Sequence, residues 1–184
     1  MRTKQFVVAV AILFFVVSNS ETTAQRLIDK NGTVAFEASE ALFEPVEAKN
    51  ESVTAVFDTA TNEIASLALI KGFRFPNSLM EEHFNENYIE SETYPKATFK
   101  GKLINFNIDA LSDSPTEVRL QGTMALHGKE KAIDTMVMVL QAGDGIILKG
   151  AFDVSPDDFA IKIPGIVKNK IAKTVKVSLE FNLN

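Results

Sequence analysis

The sequence predicts an all-β protein, an antiparallel β-barrel of about eight strands closed by one short lid helix. Two observations support this fold class. Short runs alternate apolar and polar residues along most of the chain, which is typical of strands with one buried face. Turn-forming residues separate these runs. Such strands build a sandwich or a barrel, and a closed barrel leaves no strand edge free to pair with a neighbour.

The first residues of the chain have the pattern of an export signal. Arg2 and Lys4 precede an unbroken apolar run of twelve residues, 6–17, which has the length of a signal-peptide core and is too short to span a membrane. The small residues that follow favour cleavage before Gln25, with cleavage after Ser20 as the alternative. An uncleaved N-terminal anchor is the other interpretation of this run.

We therefore divide the chain into a signal peptide, 1–24, and one β-barrel domain, 25–184. Removing the signal peptide from the 184-residue chain leaves 160 residues, enough for one core. The signal predicts a periplasmic protein, with secretion as the alternative location. Loss of Arg2, Lys4 and Glu21 changes the formal net charge from −5 to about −6, an acidic balance that argues against binding to nucleic acid. The absence of cysteine from the sequence excludes disulfides and thiol chemistry.

The strand pattern is clearest in the second half of the domain. In the run 116–126, Val118 and Leu120 begin an apolar face that alternates with a polar one, and the run 173–183 alternates in the same way. The run 132–141 is apolar on both faces, which favours a central strand. Other runs with strand character are 53–58, 63–75, 97–108 and 146–154.

Two local irregularities are expected in these strands. The pair Asn31-Gly32 is typical of a tight hairpin between two short runs. The inward face changes parity between Phe99 and Ile104, which predicts a one-residue bulge near residues 101–103.

Helical spacing is confined to two segments. The segment 77–86 follows Pro76 and places several apolar residues within about one turn of each other. A shorter segment, 163–173, has the pattern of a turn or short helix. We interpret 77–86 as a cap over one mouth of the barrel, with its apolar side towards the interior and its carboxylates towards water.

The stretch NSLMEEHFNENYIESETYPKATFKGKL, 77–103, resembles the signature of the YceI-like family. In that family a strand ending in Phe-x-Phe leads to a short helical segment, a Tyr-Pro step and a strand of the type x-x-Phe-x-Gly/Ser. The first and third of these elements correspond to Phe73 with Phe75 and to Tyr94-Pro95. Two later segments also match, 120–133 and 152–161, so that the resemblance covers roughly residues 30–183.

The resemblance implies a lipocalin-like barrel with a long apolar channel, in which family members hold polyisoprenoids or other long-chain amphiphiles. This chain departs from the family at its opening, because it contains no Trp and 33–51 replaces the usual Trp and His-Ser region. We predict non-enzymatic binding of a long-chain apolar or amphiphilic ligand (polyisoprenoid, quinone or fatty-acid-like) as carrier, buffer or sensor. The alternative is a filled β-domain that acts through its outer surface in protein–protein interaction or a stress response.

The candidate ligand-binding residues are the aromatic residues around the predicted cap and the methionines of the predicted strands. Adaptable methionines suit irregular apolar cavities. These residues are Phe73, Phe75, Leu79, Met80, Phe84, Tyr88, Tyr94, Phe99, Met124 and Met138.

His83 is the residue that raises the question of catalysis or metal binding. A metal site would combine His83 with Glu82 and Glu86, and a catalytic site would hold a nucleophile against the histidine. The spacing is generic and no Gly-x-Ser-x-Gly motif occurs, so we predict no enzyme, no metal and no cofactor. We expect His83 to hydrogen-bond a loop backbone, while the glutamates form a solvated face.

The predicted partner is therefore one apolar or amphiphilic, lipid-like small molecule, and no nucleic acid. No second long apolar stretch exists, so no transmembrane segment is expected after signal cleavage. The sequence leaves a homodimer open.

Overall fold

The computed structural model describes residues 25–40 and 42–184, so the predicted signal peptide lies outside the described residues. The described residues form eight strands, and each pairs antiparallel with the next. The last strand pairs with the first, which closes the barrel. The strands are β1 (Arg26–Ser39), β2 (Glu47–Asp58), β3 (Glu63–Leu69), β4 (Lys96–Ile104), β5 (Thr116–Leu126), β6 (Lys129–Ala142), β7 (Gly145–Val154) and β8 (Ile171–Leu183). The predicted all-β barrel is confirmed.

One short helix lies between β3 and β4, as predicted. Helix α1 (Ser78–His83) continues into a single π-helical turn, Phe84–Tyr88, and we call the two together the lid. Asn77 caps α1, because its side-chain oxygen accepts hydrogen bonds from the backbone N–H groups of Leu79 and Met80 at 2.9 and 3.3 Å. The other segment with predicted helical spacing forms turns before β8.

A tight turn after β3 directs the chain towards the lid. The turn is a 3₁₀ helix, Ile70–Gly72, and the buried side chain of Asn50 donates a hydrogen bond to the carbonyl of Leu69 at 3.0 Å. A Cβ on Gly72 would lie 2.5 Å from Asn50 Nδ2, so a larger residue would displace the side chain that holds this turn. The backbone of Arg74 then pairs with that of Lys49, which fixes the entry to the lid.

The two ends of the barrel are packed differently. We call the end where β1 begins the closed end, and the end where β1 finishes the lid end. The β4–β5 loop covers the closed end, where the ring of Phe106 meets Phe57 edge-on at 6.0 Å and Ile108 and Leu111 pack against the core. Buried apolar side chains fill the barrel behind this loop: Leu27, Phe57, Leu103, Val118, Val139, Ile146 and Leu183.

The predicted hairpin at Asn31-Gly32 is wrong, because β1 runs through these residues with a bulge. The Asp29 carboxylate stabilises the bulge by accepting hydrogen bonds from the backbone N–H groups of Asn31 at 2.8 Å and Asn182 at 2.7 Å. Glycine is needed at position 32 because the Phe181 ring packs closely against the backbone there. A Cβ on Gly32 would lie 2.5 Å from Cδ1 of Phe181.

The predicted bulge in β4 is also wrong. The register of β4 with β3 and β5 is continuous, and it places Phe99, Gly101 and Leu103 on the inner face. The change of parity occurs after the strand has ended, where Asn105 adopts a φ of 54°.

Replacing Gly32 by alanine should destabilise the fold by about 1–3 kcal/mol, because the added methyl overlaps the Phe181 ring. Gly165→Ala is the matched control, since among the described residues a Cβ at Gly165 meets open space. Urea unfolding followed by circular dichroism measures both variants. Equal stability of the two would contradict the role assigned to Gly32.

Candidate functional site

An apolar cavity of about 430 Å³ occupies the lid-end half of the barrel. Inward side chains of seven strands form its wall: Val34, Phe36, Ser66, Ala68, Ala97, Phe99, Met124, Phe152, Val154 and Val177 from β1, β3, β4, β5, β7 and β8, with Val53 from β2. The floor is formed by Leu120, Leu148 and Phe181, which belong to the packed core of the closed end. The cavity has the volume of a typical small-molecule site and ends blindly at mid-barrel.

An aromatic cluster holds the lid against the barrel. Phe36 of β1 lies at its centre, and its ring centroid is 5.6 Å from Phe73, 5.7 Å from Phe75 and 5.4 Å from Phe84. Phe84 projects from the lid and is also 5.1 Å from Phe75. Aromatic pairs at these separations contribute more than their buried area alone, so the cluster fixes the lid over the cavity.

His127 forms a second connection between the lid and the barrel. The residue lies in the turn between β5 and β6, and its Nδ1 is 2.9 Å from the carbonyl oxygen of Phe159. Its Nε2 is 3.0 Å from Oε2 of Glu90, just beyond the lid, and the Tyr94 ring packs on the imidazole at 4.4 Å. Both partners accept, so the ring satisfies them together when it donates from both nitrogens.

A capped 3₁₀ helix, Pro156–Phe159, places Phe159 at the cavity wall. The Asp158 carboxylate accepts a hydrogen bond from Lys131 Nζ and a 2.8 Å hydrogen bond from the backbone N–H of Ser155. These two hydrogen bonds, with that from Lys131 the stronger influence, hold the pKa of Asp158 below its usual value. The ionised carboxylate therefore ties this helix to β6.

Polar side chains are concentrated at the opening of the cavity. Asn77 at the start of the lid donates a 3.3 Å hydrogen bond to Glu44 of the β1–β2 loop, and both residues line the opening. His83, Ser155 and Lys170 line the same region. An apolar chamber with a polar opening suits a molecule with an apolar tail and a polar end.

Eight of the ten predicted ligand-binding residues line this cavity. They come from the lid, from the segment before it and from two strands: Phe73, Phe75, Leu79, Met80, Phe84, Tyr88, Phe99 and Met124. Their contact with a ligand stays a prediction.

The other two predicted residues lie elsewhere. Tyr94 packs on His127 and is not among the lining residues. Met138 was expected to face the interior, and this is wrong: its side chain is 38% exposed and faces outwards from β6. The inward residues of β6 are Ile133, Val137 and Val139.

Sequence reasoning missed three parts of the site. Phe36 and its neighbour Val34 lie in the part of the chain that departs from the family pattern, so motif matching gave no signal for them. Val177 and Phe181 of β8 also line the cavity. The alternation of apolar and polar residues in β8 did place both of them on the inner face, but they were not chosen as candidates. Local sequence gave no signal for His127, because its partners lie 32 and 37 residues away in sequence.

His83 is the residue at which the sequence raised the question of catalysis or metal binding. The side chain is exposed at the opening of the cavity. Within residues 25–40 and 42–184, no three His, Cys, Asp or Glu side chains are grouped closely enough to hold a metal ion. In the same part of the chain, no helix combines the length and apolar character that crossing a membrane requires.

The architecture defines the class of protein, a lipocalin-like closed barrel with an apolar cavity at its lidded end. The model of the YceI-like domain matches residues 17–183, so the chain belongs to the YceI-like family. The resemblance seen in the sequence is thereby confirmed. None of the curated proteins matches the chain.

Several solved structures share this fold. A polyisoprenoid-binding domain from Saccharophagus degradans, implicated in plant cell wall breakdown, has a TM-score of 0.74 at 16% identity, over 85% of this chain and 96% of that one. BcnA from Burkholderia cenocepacia has a TM-score of 0.66 at 16% identity, over 81% and 94%. The YceI protein of Campylobacter jejuni has a TM-score of 0.53 at 15% identity, over 100% and 99%. These similarities establish the fold.

The two histidines provide a matched test of the lid connection. His127→Ala removes both hydrogen bonds of a side chain that is only 13% exposed, and should lower the free energy of unfolding by about 1–3 kcal/mol. His83→Ala alters an exposed side chain and should change stability by less than about 0.5 kcal/mol.

Urea unfolding measures the stability of both variants, and hydrogen exchange reports on residues 84–94. His127→Ala should lose protection there, whereas His83→Ala should retain it. Identical exchange in the two variants would show that His127 does not hold the lid.

Proposed function

We propose that this protein binds one long-chain apolar or amphiphilic molecule, with the tail buried in the cavity and the polar end at the opening. The observation that carries the proposal is the apolar cavity of about 430 Å³ beneath the lid. A chamber of this kind is unfavourable for water and favourable for a hydrocarbon chain. The same cavity weighs against the alternative of a filled β-domain.

The comparisons support the chemical class of the ligand. The Saccharophagus degradans structure is that of a polyisoprenoid-binding domain, and it shares the fold over most of both chains. A prenyl chain, the side chain of a quinone and a fatty acyl chain all present the same apolar surface to the wall. We propose a ligand from this group.

The size of the cavity sets how much tail is buried. A volume of about 430 Å³ holds on the order of fourteen groups of water size, each about 30 Å³, and a methylene is of similar size. Each buried methylene contributes about 0.8 kcal/mol, close to a fourfold gain in affinity. A longer chain would leave its remaining carbons at the opening, beside the lid.

We base the proposed physiological role on the predicted export signal and the cavity together. The predicted signal peptide would place the protein in the periplasm or outside the cell, where a bound tail is shielded from water. We propose that the protein acts there as a carrier, buffer or sensor of its ligand. The proposal assigns binding and no chemical reaction to the cavity.

Organic extraction of protein purified from the periplasm, followed by mass spectrometry, tests the proposal directly. The expected result is one class of long-chain molecule in a stoichiometric amount. Heat-denatured protein from the same preparation controls for lipid that adheres to any apolar surface. Folded protein that carries no such molecule, and that binds none when it is added, would refute the proposal.

The buried length predicts a chain-length dependence. For saturated fatty acids of increasing length, affinity should rise about fourfold per methylene and then level off near fourteen carbons. Displacement of a fluorescent fatty acid measures the series. A constant affinity across the short members would show that the tail is not buried.

A variant that fills the cavity should block binding. Ala68 is buried and lines the wall, so Ala68→Phe should weaken binding of a fatty acid by at least about tenfold, the loss expected from displacing two or more methylenes. Met136→Trp, at an outward position that is 45% exposed, is the matched control and should bind normally. Circular dichroism verifies that both variants are folded. Equal affinity of the two would place the ligand outside this cavity.

A further inference from the structure

Four large apolar side chains are exposed around the opening of the cavity. Leu42 is 92% exposed and Phe43 is 40% exposed in the β1–β2 loop, Leu79 is 55% exposed in the lid, and Ile166 is 86% exposed in the turn before β8. We call these four residues the rim patch. Exposed apolar side chains gathered from separate segments indicate an interaction surface.

Contacts between the segments place the rim patch around one entrance. The hydrogen bond from Asn77 to Glu44 joins the lid to the β1–β2 loop. Lys170 Nζ lies 6.0 Å from the centroid of the Phe43 ring, which joins that loop to the turn before β8. Leu79 and Val167, the neighbour of Ile166, line the cavity itself. The apolar rim is therefore continuous with the apolar interior.

The charges beside the rim patch are unlike those of the chain as a whole. The segment 162–173 contains four lysines and no acidic residue, in a chain with a formal net charge of −5. All four lysines, Lys162, Lys168, Lys170 and Lys173, are exposed. The β1–β2 loop opposite carries the acidic residues Glu40 and Glu44. One side of the rim is thus cationic and the other anionic.

We infer that the rim patch and the lysines of 162–173 dock this protein onto an anionic lipid bilayer. Leucine, isoleucine and phenylalanine enter the boundary between head groups and acyl chains, while lysines attract anionic head groups. The segment with Ile166 and the lysines makes first contact with the head groups, and Leu42 and Phe43 of the β1–β2 loop follow. Docking is a property of the rim and does not depend on which molecule occupies the cavity.

The cavity explains why a bilayer fits this surface better than a protein partner. An apolar tail that passed through water between a membrane and the cavity would expose each of its methylenes. Each exposed methylene would lower the equilibrium population of that state about fourfold. A rim seated in the bilayer keeps the tail in apolar surroundings throughout the transfer. The four apolar side chains lie where they would line that path.

The absence of tryptophan from the sequence provides a direct test. The chain from Gln25 onward contains the whole barrel and omits the apolar run 6–17. In this chain, Ile166→Trp places one fluorophore in the rim, and Met136→Trp places one on the outer wall. The probes are vesicles of phosphatidylcholine alone and of phosphatidylcholine mixed with phosphatidylglycerol.

Ile166→Trp should show blue-shifted emission on the mixed vesicles only, and the shift should fall with added salt because surface attraction is screened. Met136→Trp should show no shift on either vesicle. Adding Lys168→Glu and Lys173→Glu to Ile166→Trp should weaken binding by at least about tenfold, since each lysine near an anionic surface contributes about fivefold. Lys100→Glu, on the outer wall at β4, should leave binding unchanged.

Three outcomes would overturn the inference. The first is an absence of any shift for Ile166→Trp on the mixed vesicles. The second is equal loss of binding with the Lys100 variant and with the rim lysine variants. The third is dimerisation in solution that depends on protein concentration and is abolished by the double variant Leu42→Glu, Ile166→Glu. That result would show that the rim patch binds a second copy of the chain. Binding of a fatty acid by the cavity is measured separately, so its failure is distinguishable from failure of docking.

Discussion

The pairing of β8 with β1 is the constraint on which the rest of the molecule depends. It joins the two ends of the sheet, and the register from Thr33 opposite Glu180 to Ser39 opposite Ile171 separates an inner face from an outer one. Asp29 secures the seam, because its carboxylate bonds to the bulge in β1 and to the backbone of β8 at the same time. Closure leaves no unpaired edge and provides an interior that can hold either side chains or a ligand.

The interior is packed with side chains at one end and hollow at the other. At the closed end, Phe57, Leu103 and Leu183 are fully buried, and the β4–β5 loop covers them. At the lid end several inward residues are small, among them Ser66, Ala68 and Ala97, and Phe36 is drawn into the aromatic cluster. The packed half supplies stability through burial of apolar surface, so that the other half can remain hollow.

The parts of the fold with regular local patterns could be predicted from the sequence. Strict alternation in β5 and β8 identified their inner faces, and the helical spacing of apolar residues after Pro76 identified the lid segment. Where tertiary contacts override local preference, prediction was wrong: Asn31-Gly32 has a hairpin sequence, but Asp29 and Phe181 hold it in a continuous strand. Met138 was misplaced because β6 is apolar on both faces and alternation cannot then distinguish inside from outside.

The packed closed end limits how a ligand could enter and leave the cavity. Under the proposed function, the ligand would enter and leave through the same opening between the lid and the turn before β8, because packed side chains block the other end of the barrel. Two membranes or proteins that exchange the ligand would then have to occupy that opening in turn. A barrel of this kind would suit delivery to one site at a time and would not suit passage between two sites held together.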